Sequence, residues 1–512
     1  MIISLRKIKS YFCIHDIFVL LGFFSLLKTQ LQNFANDPGV GWHLMAGKLI
    51  SKGQIPYLDT FLASSKERLW VADQWLSDLV LYLLYKIGSF QIIYVLLSIF
   101  FLGLFFVFCW GKARKFSGFS LAASIAVLIA FKISQIHFIL RPVIFSFGLF
   151  ALLYFFLLEK LPADNRVLFK TKEKISLFIL FLLWANVHPS FVLGFFLLFL
   201  FILSVLLSSE LKGDVLNFII TCLVIFAATL CNPYFIQLHF SIFKLGASTY
   251  FMKFHQEWNP VDLAAYSGQL FLLLGLINLP ALLKTKDLNY CSNKFIKLSF
   301  LSFFGLCFYA VRFLPYFAIC SIILTSLTLG KFGSYFRNTF KFYLPIITAK
   351  FKSAELHDLK YAHKNIAFLA FSVFLLVSLS FTQKIPFYSG SFGPSENKFP
   401  YAEVKWIMEN STEVSPVVLA PPSWGGFIVF LSDMKLKPVL DDRNTLVGED
   451  LYKSYFNIFD NEYGLSKFLN NKKISYLISP GGGTVSEQAE KLISFKKVYE
   501  GKVAEVFHGI RN

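Results

Sequence analysis

Asp37-Pro38-Gly39-Val40-Gly41-Trp42-His43-Leu44 opens a stretch that runs through Gly53-Gln54-Ile55-Pro56 and Trp70-Val71-Ala72-Asp73-Gln74-Trp75-Leu76 to Ile87. Hydrophobic segments flank it on both sides, so it reads as an outer loop (29–90) between two membrane helices. An acid, a histidine and several tryptophans have no packing duty there for a lipid-embedded scaffold, which marks the loop as the place to look for chemistry. Aspartate before proline also suits a helix start, Asp as N-cap and Pro at the first helical position. Gly53, with Pro56 beyond it, suits the stop. Spacing alone leaves Asp37 either as that cap or as a carboxylate at the water–lipid boundary that takes a proton from a hydroxyl. His43 follows nearly two turns later, roughly a third of a turn off the face of Asp37, so spacing does not pair them. Packing between Trp42 and the headgroups accounts for His43 as well as a functional role does. Trp70, Trp75, Tyr82 and Tyr85 match an interfacial aromatic belt. Trp75/Leu76, Leu79/Val80 and Leu83/Leu84 recur at helical spacing and predict a helix lying on the membrane.

Outward from this loop the chain is strongly apolar. Its 512 residues are 56% hydrophobic and 16% charged, where soluble proteins average about 25% charged. This composition predicts a polytopic α-helical membrane protein. The formal net charge of +18 fits contact with anionic membrane lipids and cytoplasmic loops. No separate basic patch points to nucleic acid. Spans of roughly 20 apolar residues are predicted near 11–28, 91–109, 119–135, 143–158, 175–187, 190–208, 215–231, 267–283, 298–311, 313–330 and 365–382, about eleven in all. The basic start, Met1 to Lys9, leads into a first span read as retained, since no small-residue cleavage site follows. Lys and Arg gather on alternate loops (Arg6, Lys7 and Lys9; Lys112, Arg114 and Lys115; Lys160 to Lys174; Lys284 to Lys297; Lys331 to Lys364). The positive-inside rule then places the N-terminus in the cytoplasm, and the 37–87 loop and everything after the last span outside. The seven cysteines all precede residue 321 and show neither a disulfide framework nor zinc spacing.

Residues 1–383 therefore form the transmembrane domain, and 384–512 a small α/β extracytoplasmic domain behind a linker containing Pro386, Gly390, Gly393 and Pro394. In that domain helices are predicted at Tyr401–Asn410, Glu449–Phe459 and Glu487–Ser494. Val417–Ala420, Pro438–Leu440 and Ser475–Ser479 read as strands, and Phe427–Leu431 as a strand or buried turn. Lys497–Tyr499 and Val503–Phe507 form a hairpin. Trp424-Gly425-Gly426 reads as a tight turn, Asp441-Asp442-Arg443 as a strand-end ion pair, and Gly481-Gly482-Gly483 as a flexible turn without the Lys-Ser/Thr of a P-loop.

The remaining polar residues collect at outer span ends: Arg141-Pro142, His188-Pro189, Asn232-Pro233-Tyr234, Glu257-Trp258 and Arg312. A single arginine there is accounted for by snorkelling. Several ionisable groups on the side of Asp37 point instead to a wet site for an anionic, lipid-borne substrate, with Arg141 and Arg312 as phosphate ligands.

At these residues the chain resembles a bacterial family of multispanning proteins in the GT-C glycosyltransferase superfamily, similar to lipid-linked-sugar transferases of mannosyl and aminoarabinosyl type. Asp37-Pro38-Gly39-Val40-Gly41-Trp42-His43 stands where the family carries an Asp-Pro-Asp-x-Trp-Trp-His-like signature. Trp70-Val71-Ala72-Asp73-Gln74-Trp75-Leu76 stands for a Trp-Val-x-His-Glu-Trp-Leu-like one. Trp184-Ala185-Asn186-Val187-His188, Asn232-Pro233-Tyr234, Glu257-Trp258, Arg312-Phe313-Leu314-Pro315, Trp424-Gly425-Gly426 and Asp441-Asp442-Arg443 follow in order. The resemblance implies transfer of a sugar from a polyprenyl-phosphate donor to an envelope glycan, lipid or protein, in the bacterial inner (plasma) membrane. Asp37 would be general base and His43 its catalytic partner. Arg141, His188, Glu257, Arg312, Asp73 and Gln74 would bind substrate. Gly39 replaces a second acid and Asp73-Gln74 replaces His-Glu. One acid does not readily share a divalent metal as two would, so no metal ligands or cofactor are assigned. A transporter or flippase of lipid-linked saccharides, or a non-catalytic envelope-assembly scaffold, are the other readings of the same chain.

Overall fold

The computed structural model describes residues 13–27, 34–63, 68–161, 166–207, 212–248, 250–251, 256–284, 290–340, 343, 345–361, 392–458 and 464–510. The protein is a membrane protein built from α-helices. Among the described residues five helices are long and apolar enough to cross a bilayer: Trp75–Ser117, Ser120–His137, Val143–Lys160, Tyr266–Leu283 and Val311–Phe340. Shorter apolar helices, Ile14–Ser25, Phe191–Leu206 and Val215–Leu230, stand among them. Each segment predicted as a span up to 313–330 falls on a helix. The segment 365–382 lies outside the described residues, as do Arg6, Lys7, Lys9 and most of the linker. Helix Leu314–Phe340 is the axis, packed on Ser120–Ser134, Tyr290–Cys307 and Tyr266–Lys284. Phenylalanine, 63 of the 512 residues, fills the spaces between helices. Phe101 and Phe138 stack at 3.7 Å, and Tyr316 meets Phe147 and Phe150 edge-on at 5.5 and 4.9 Å, the latter a geometry that aromatic quadrupoles favour.

The 37–87 loop folds as two helices. Val40–Ser51 lies against the start of Trp75–Leu102. Gly47 permits this approach, because a Cβ there would stand 2.1 Å from the Asp78 carbonyl oxygen. Gly88 and Ser89 break the longer helix, Ser89 at φ 57°, so the loop portion and the apolar portion take different directions. Trp70 is buried rather than in an aromatic belt: it packs edge-on against Phe61 at 5.2 Å. Trp75 is likewise engaged, donating from Nε1 to Asn186 Oδ1 at 2.8 Å.

Residues 392–510 carry a five-stranded sheet in the order Lys437–Pro438, Val417–Leu419, Tyr476–Pro480, Ala504–Gly509, Phe495–Glu500. The first three strands are parallel and the last two antiparallel. Phe427–Leu431 is not a strand. It belongs to helix Pro422–Leu431, which starts with proline in its first turn. A short run that is apolar on every side has no period to separate helix from strand, and this one is buried on two faces. Trp424-Gly425-Gly426 is therefore not a turn but part of that helix, and its glycines serve contact. A Cβ on Gly425 would stand 2.2 Å from the Leu440 carbonyl oxygen, and one on Gly41 2.2 Å from that of Gly426. Helices Val40–Ser51 and Pro422–Leu431 thus meet backbone to backbone.

Overpacking a tight contact typically costs about 1–3 kcal/mol. Gly41→Ala should therefore lower the apparent Tm of the detergent-solubilised protein and expose 392–510 to protease. Gly111→Ala, at a helical site where a Cβ meets no neighbour, should change neither.

Candidate active site

The Val40–Ser51 helix, the ends of four membrane helices and the 441–444 segment enclose one cavity of about 360 Å³. His43, Asp73, Gln74, Arg141, His188, Glu257 and Arg312 all line it. Asp37 lies just beneath, 6% exposed and paired with Arg141. Asp37 does not cap the helix: the N-cap position is Gly39, and the Asp37 carbonyl closes a turn onto Val40 N–H. Its carboxylate turns inward instead. Oδ1 accepts from Gly39 N–H at 2.9 Å and Oδ2 meets Arg141 Nε at 2.5 Å.

Arg141 spans two acids. Its Nη1 donates to Glu257 Oε1 while Nε holds Asp37, and these carboxylates keep the guanidinium firmly charged despite its burial. The sequence reading of Arg141 as a plain phosphate ligand thus needs amending, since two of its nitrogens are already engaged. Arg312 differs. Its guanidinium lies over the Trp258 ring at 4.4 Å, a cation–π contact, and it has no ion-pair partner among the described residues. A divalent metal does not fit between Asp37 and Glu257 without expelling Arg141, so the charge these carboxylates share is a guanidinium. The one group of three ligand atoms spaced for a metal among the described residues, Cys13, His357 and Asp358, is at the opposite end of the bundle. There Asp358 already accepts from Ile14 and His15 N–H.

His43 pairs with Asp78, Nδ1 to Oδ1 at 2.6 Å, and its ring stacks near Trp42 at 3.6 Å. Burial lowers its pKa to about 3, so at neutral pH it is an uncharged imidazole whose Nδ1 shares one hydrogen bond with Asp78. His188 accepts from Ser190 N–H at Nδ1, 3.0 Å. Asp73 accepts from Gln74 Nε2 at 3.3 Å. Burial raises its pKa to about 7, with Asp78 adding to the rise and the Gln74 bond opposing it.

Sequence reasoning missed Asp442, Trp42, His137 and Tyr316, all at the cavity. Asp442 matters most. Asp441 and Arg443 do form the ion pair, 2.7 Å from Oδ2 to Nε, and Arg443 also meets Asp59 Oδ1 at 2.9 Å. Asp442 is left over: it faces the cavity and accepts from Trp42 Nε1 at 3.0 Å. Burial raises its pKa to about 7, helped by Asp441 and Asp37 and opposed by Arg141. The signal was the odd acid in Asp441-Asp442-Arg443, one more than the arginine can neutralise.

No protein-family model matches the chain, and no curated protein matches it either. Solved structures do. The oligosaccharyltransferase of Archaeoglobus fulgidus, tethered to an acceptor peptide containing an NVT sequon, superposes with TM-score 0.60 at 13% identity over 91% of this chain and 69% of that one. ArnT from Cupriavidus metallidurans bound to undecaprenyl phosphate gives TM-score 0.50 at 12% identity over 97% of both chains. The oligosaccharyltransferase AglB from Archaeoglobus fulgidus, in complex with an inhibitory peptide and a dolichol-phosphate, gives TM-score 0.54 at 12% identity over 91% of this chain and 69% of that one. The chain has the GT-C glycosyltransferase fold. At these identities the likeness is one of GT-C architecture, and the geometry above is this chain's own.

Asp73 and Asp442 titrate above the usual aspartate value of about 3.9. Between about pH 4 and 7 the folded protein therefore holds protons that the unfolded chain has released. Their contribution to stability is complete below about pH 4 and is lost as pH rises through 7. Buried His43, its pKa lowered, is linked in the opposite sense, so the two acids are isolated by substitution: Asp73→Asn combined with Asp442→Asn should raise the apparent Tm at pH 8 relative to that at pH 5, measured against wild type at each pH.

Proposed function

We propose that the protein is a membrane glycosyltransferase that moves a sugar from a polyprenyl-phosphate donor to a hydroxyl acceptor on an envelope glycan, lipid or protein. The observation that carries this reading is the amphiphilic make-up of the cavity described above. Arg312, Arg141, His43, Asp73, Glu257 and Asp442 stand in it together with an apolar wall of Val192, Leu193, Ile242, Leu245 and Phe313. Such a wall suits a polyprenyl chain, and a guanidinium at its polar end suits the phosphate. The solved GT-C structures with undecaprenyl phosphate and dolichol-phosphate support the same class of ligand. The basic loops on alternate sides support an orientation with the site on the outer face of a bacterial inner membrane and a cytoplasmic N-terminus.

In the reaction the acceptor oxygen attacks the anomeric carbon as the bond from that carbon to the phosphate oxygen breaks. The electron pair leaves with the lipid phosphate. Arg312, held on Trp258, stabilises the growing charge, and a preorganised cation in a water-poor site does this best. Arg141 orders Asp37 and Glu257. His43 Nε2 and the carboxyls of Glu257 and Asp73, with Gln74 and His188, orient sugar and acceptor hydroxyls. A cavity carboxylate takes the acceptor's proton.

The test is transfer by purified full-length protein in nanodiscs, from a panel of labelled undecaprenyl-phosphate monosaccharides, read as release of undecaprenyl phosphate. Arg312→Ala should weaken undecaprenyl phosphate binding and cut turnover by about 10²–10³-fold, the usual loss of one charge-stabilising donor. Movement of the intact donor across the membrane without cleavage would identify a flippase instead. Neither binding nor turnover would leave a scaffold.

A further inference from the structure

The carboxylates around Arg141 are not equally free. Both oxygens of Asp37 are held, one by Gly39 N–H and one by Arg141, and Glu257 is paired with the same guanidinium. Asp442 gives one oxygen to Trp42 Nε1 and has no cation partner among the described residues. Its other oxygen faces Gly39. A Cβ built on Gly39 would stand 3.1 Å from Asp37 Oδ1, 3.2 Å from Trp42 Nε1 and 3.3 Å from Asp442 Oδ2. Gly39 has φ −76° and ψ −16°, a conformation open to any residue. Glycine is thus not required by the backbone here. What it provides is a notch opening on the cavity, edged by one indole donor and two carboxylate oxygens.

We propose that the acceptor hydroxyl enters this notch and that Asp442, from the C-terminal part of the chain, takes its proton in place of Asp37. The inference rests on the transferase reading above. The acceptor O–H bond breaks and its proton passes to Asp442 Oδ2. The acceptor oxygen bonds to the anomeric carbon, and the carbon–oxygen bond to the lipid phosphate breaks with its electron pair going to the phosphate. Asp442 then releases the proton to solvent. Trp42 Nε1–H fixes the carboxylate from one side, and Asp37 holds Arg141 in place as a positioning residue. The charged and titratable groups facing Asp442 from the packed elements are Asp441, Asp37, Arg141 and Tyr452. Their balance, with burial, leaves its pKa at about 7, close to the optimum for a base working at neutral pH. Asp73 has a similar value but does not border the notch.

Full-length Asp442→Asn, Asp442→Glu, Gly39→Ala and Asp37→Asn are compared in the same nanodisc assay, beside undecaprenyl phosphate binding. Asp442→Asn should lose about 10²–10⁴-fold in transfer, the range for a general base, with lipid binding within about twofold of wild type. Asp442→Glu should recover part of that loss, and Gly39→Ala, which fills the notch, should abolish transfer without unfolding the protein. Wild-type kcat/KM should fall below about pH 7, and Asp442→Glu should shift that limb. Asp37→Asn should weaken lipid binding and transfer together. Transfer by Asp442→Asn within about threefold of wild type, with Asp37→Asn inactive but binding normally, overturns the proposal and leaves the transferase reading intact. Wild-type protein inactive on every donor removes both, and is told apart because no variant then matters.

Discussion

The guanidinium of Arg443 holds the site together. It is 6% exposed and meets Asp59 and Asp441, and it lies 4.4 Å from the Trp70 ring and 5.0 Å from that of Phe61. Asp59 is itself fixed, accepting from Phe61 and Leu62 N–H at 3.2 and 3.0 Å. A buried charge is costly unless paired and hydrogen-bonded, so this cation is at rest only when the 37–87 loop and the 441–443 segment are together. The glycine contact between Val40–Ser51 and Pro422–Leu431 brings the same two regions into register. With Asp441 and Arg443 drawn into that joint, Asp442 is left to face the cavity.

A second cation organises the floor. Arg141 lies between Asp37 and Glu257, which come from the 37–87 loop and from a connection more than two hundred residues later. The cavity therefore holds one cation that is already paired within it, while Arg312 on Trp258 remains available to an anion. Two guanidiniums of similar burial are set to different work by their neighbours: one is neutralised by carboxylates, the other supported by an aromatic face.

Much of the frame was legible from hydrophobic length, since most apolar runs of span size became helices at the expected places. The polar residues that interrupt those runs were legible as a group, because an ionisable group near lipid needs a reason to be there. Their pairing was not. His43 meets Asp78 and Trp75 meets Asn186 through tertiary contacts that no local period encodes. Asp37 looked as much like a cap as a site residue, because Asp-Pro serves both, and only the structure shows Gly39 in the N-cap position instead. Phe427–Leu431 failed for want of periodicity. Asp442 was passed over because its neighbours formed the ion pair that the triplet suggested, which hid the acid left outside it.

The joint between Asp59 and Arg443 links positions 384 residues apart in a chain of 512. Among the described residues the five helices long enough to cross a bilayer all precede Arg443 in order of synthesis, yet the cavity lacks its roof until Arg443 arrives. A nascent chain that has threaded its helices into the bilayer therefore still presents an open, unfinished hollow. Closure of the cavity comes late, when the 441–443 segment has been made and has locked onto a loop made hundreds of residues earlier.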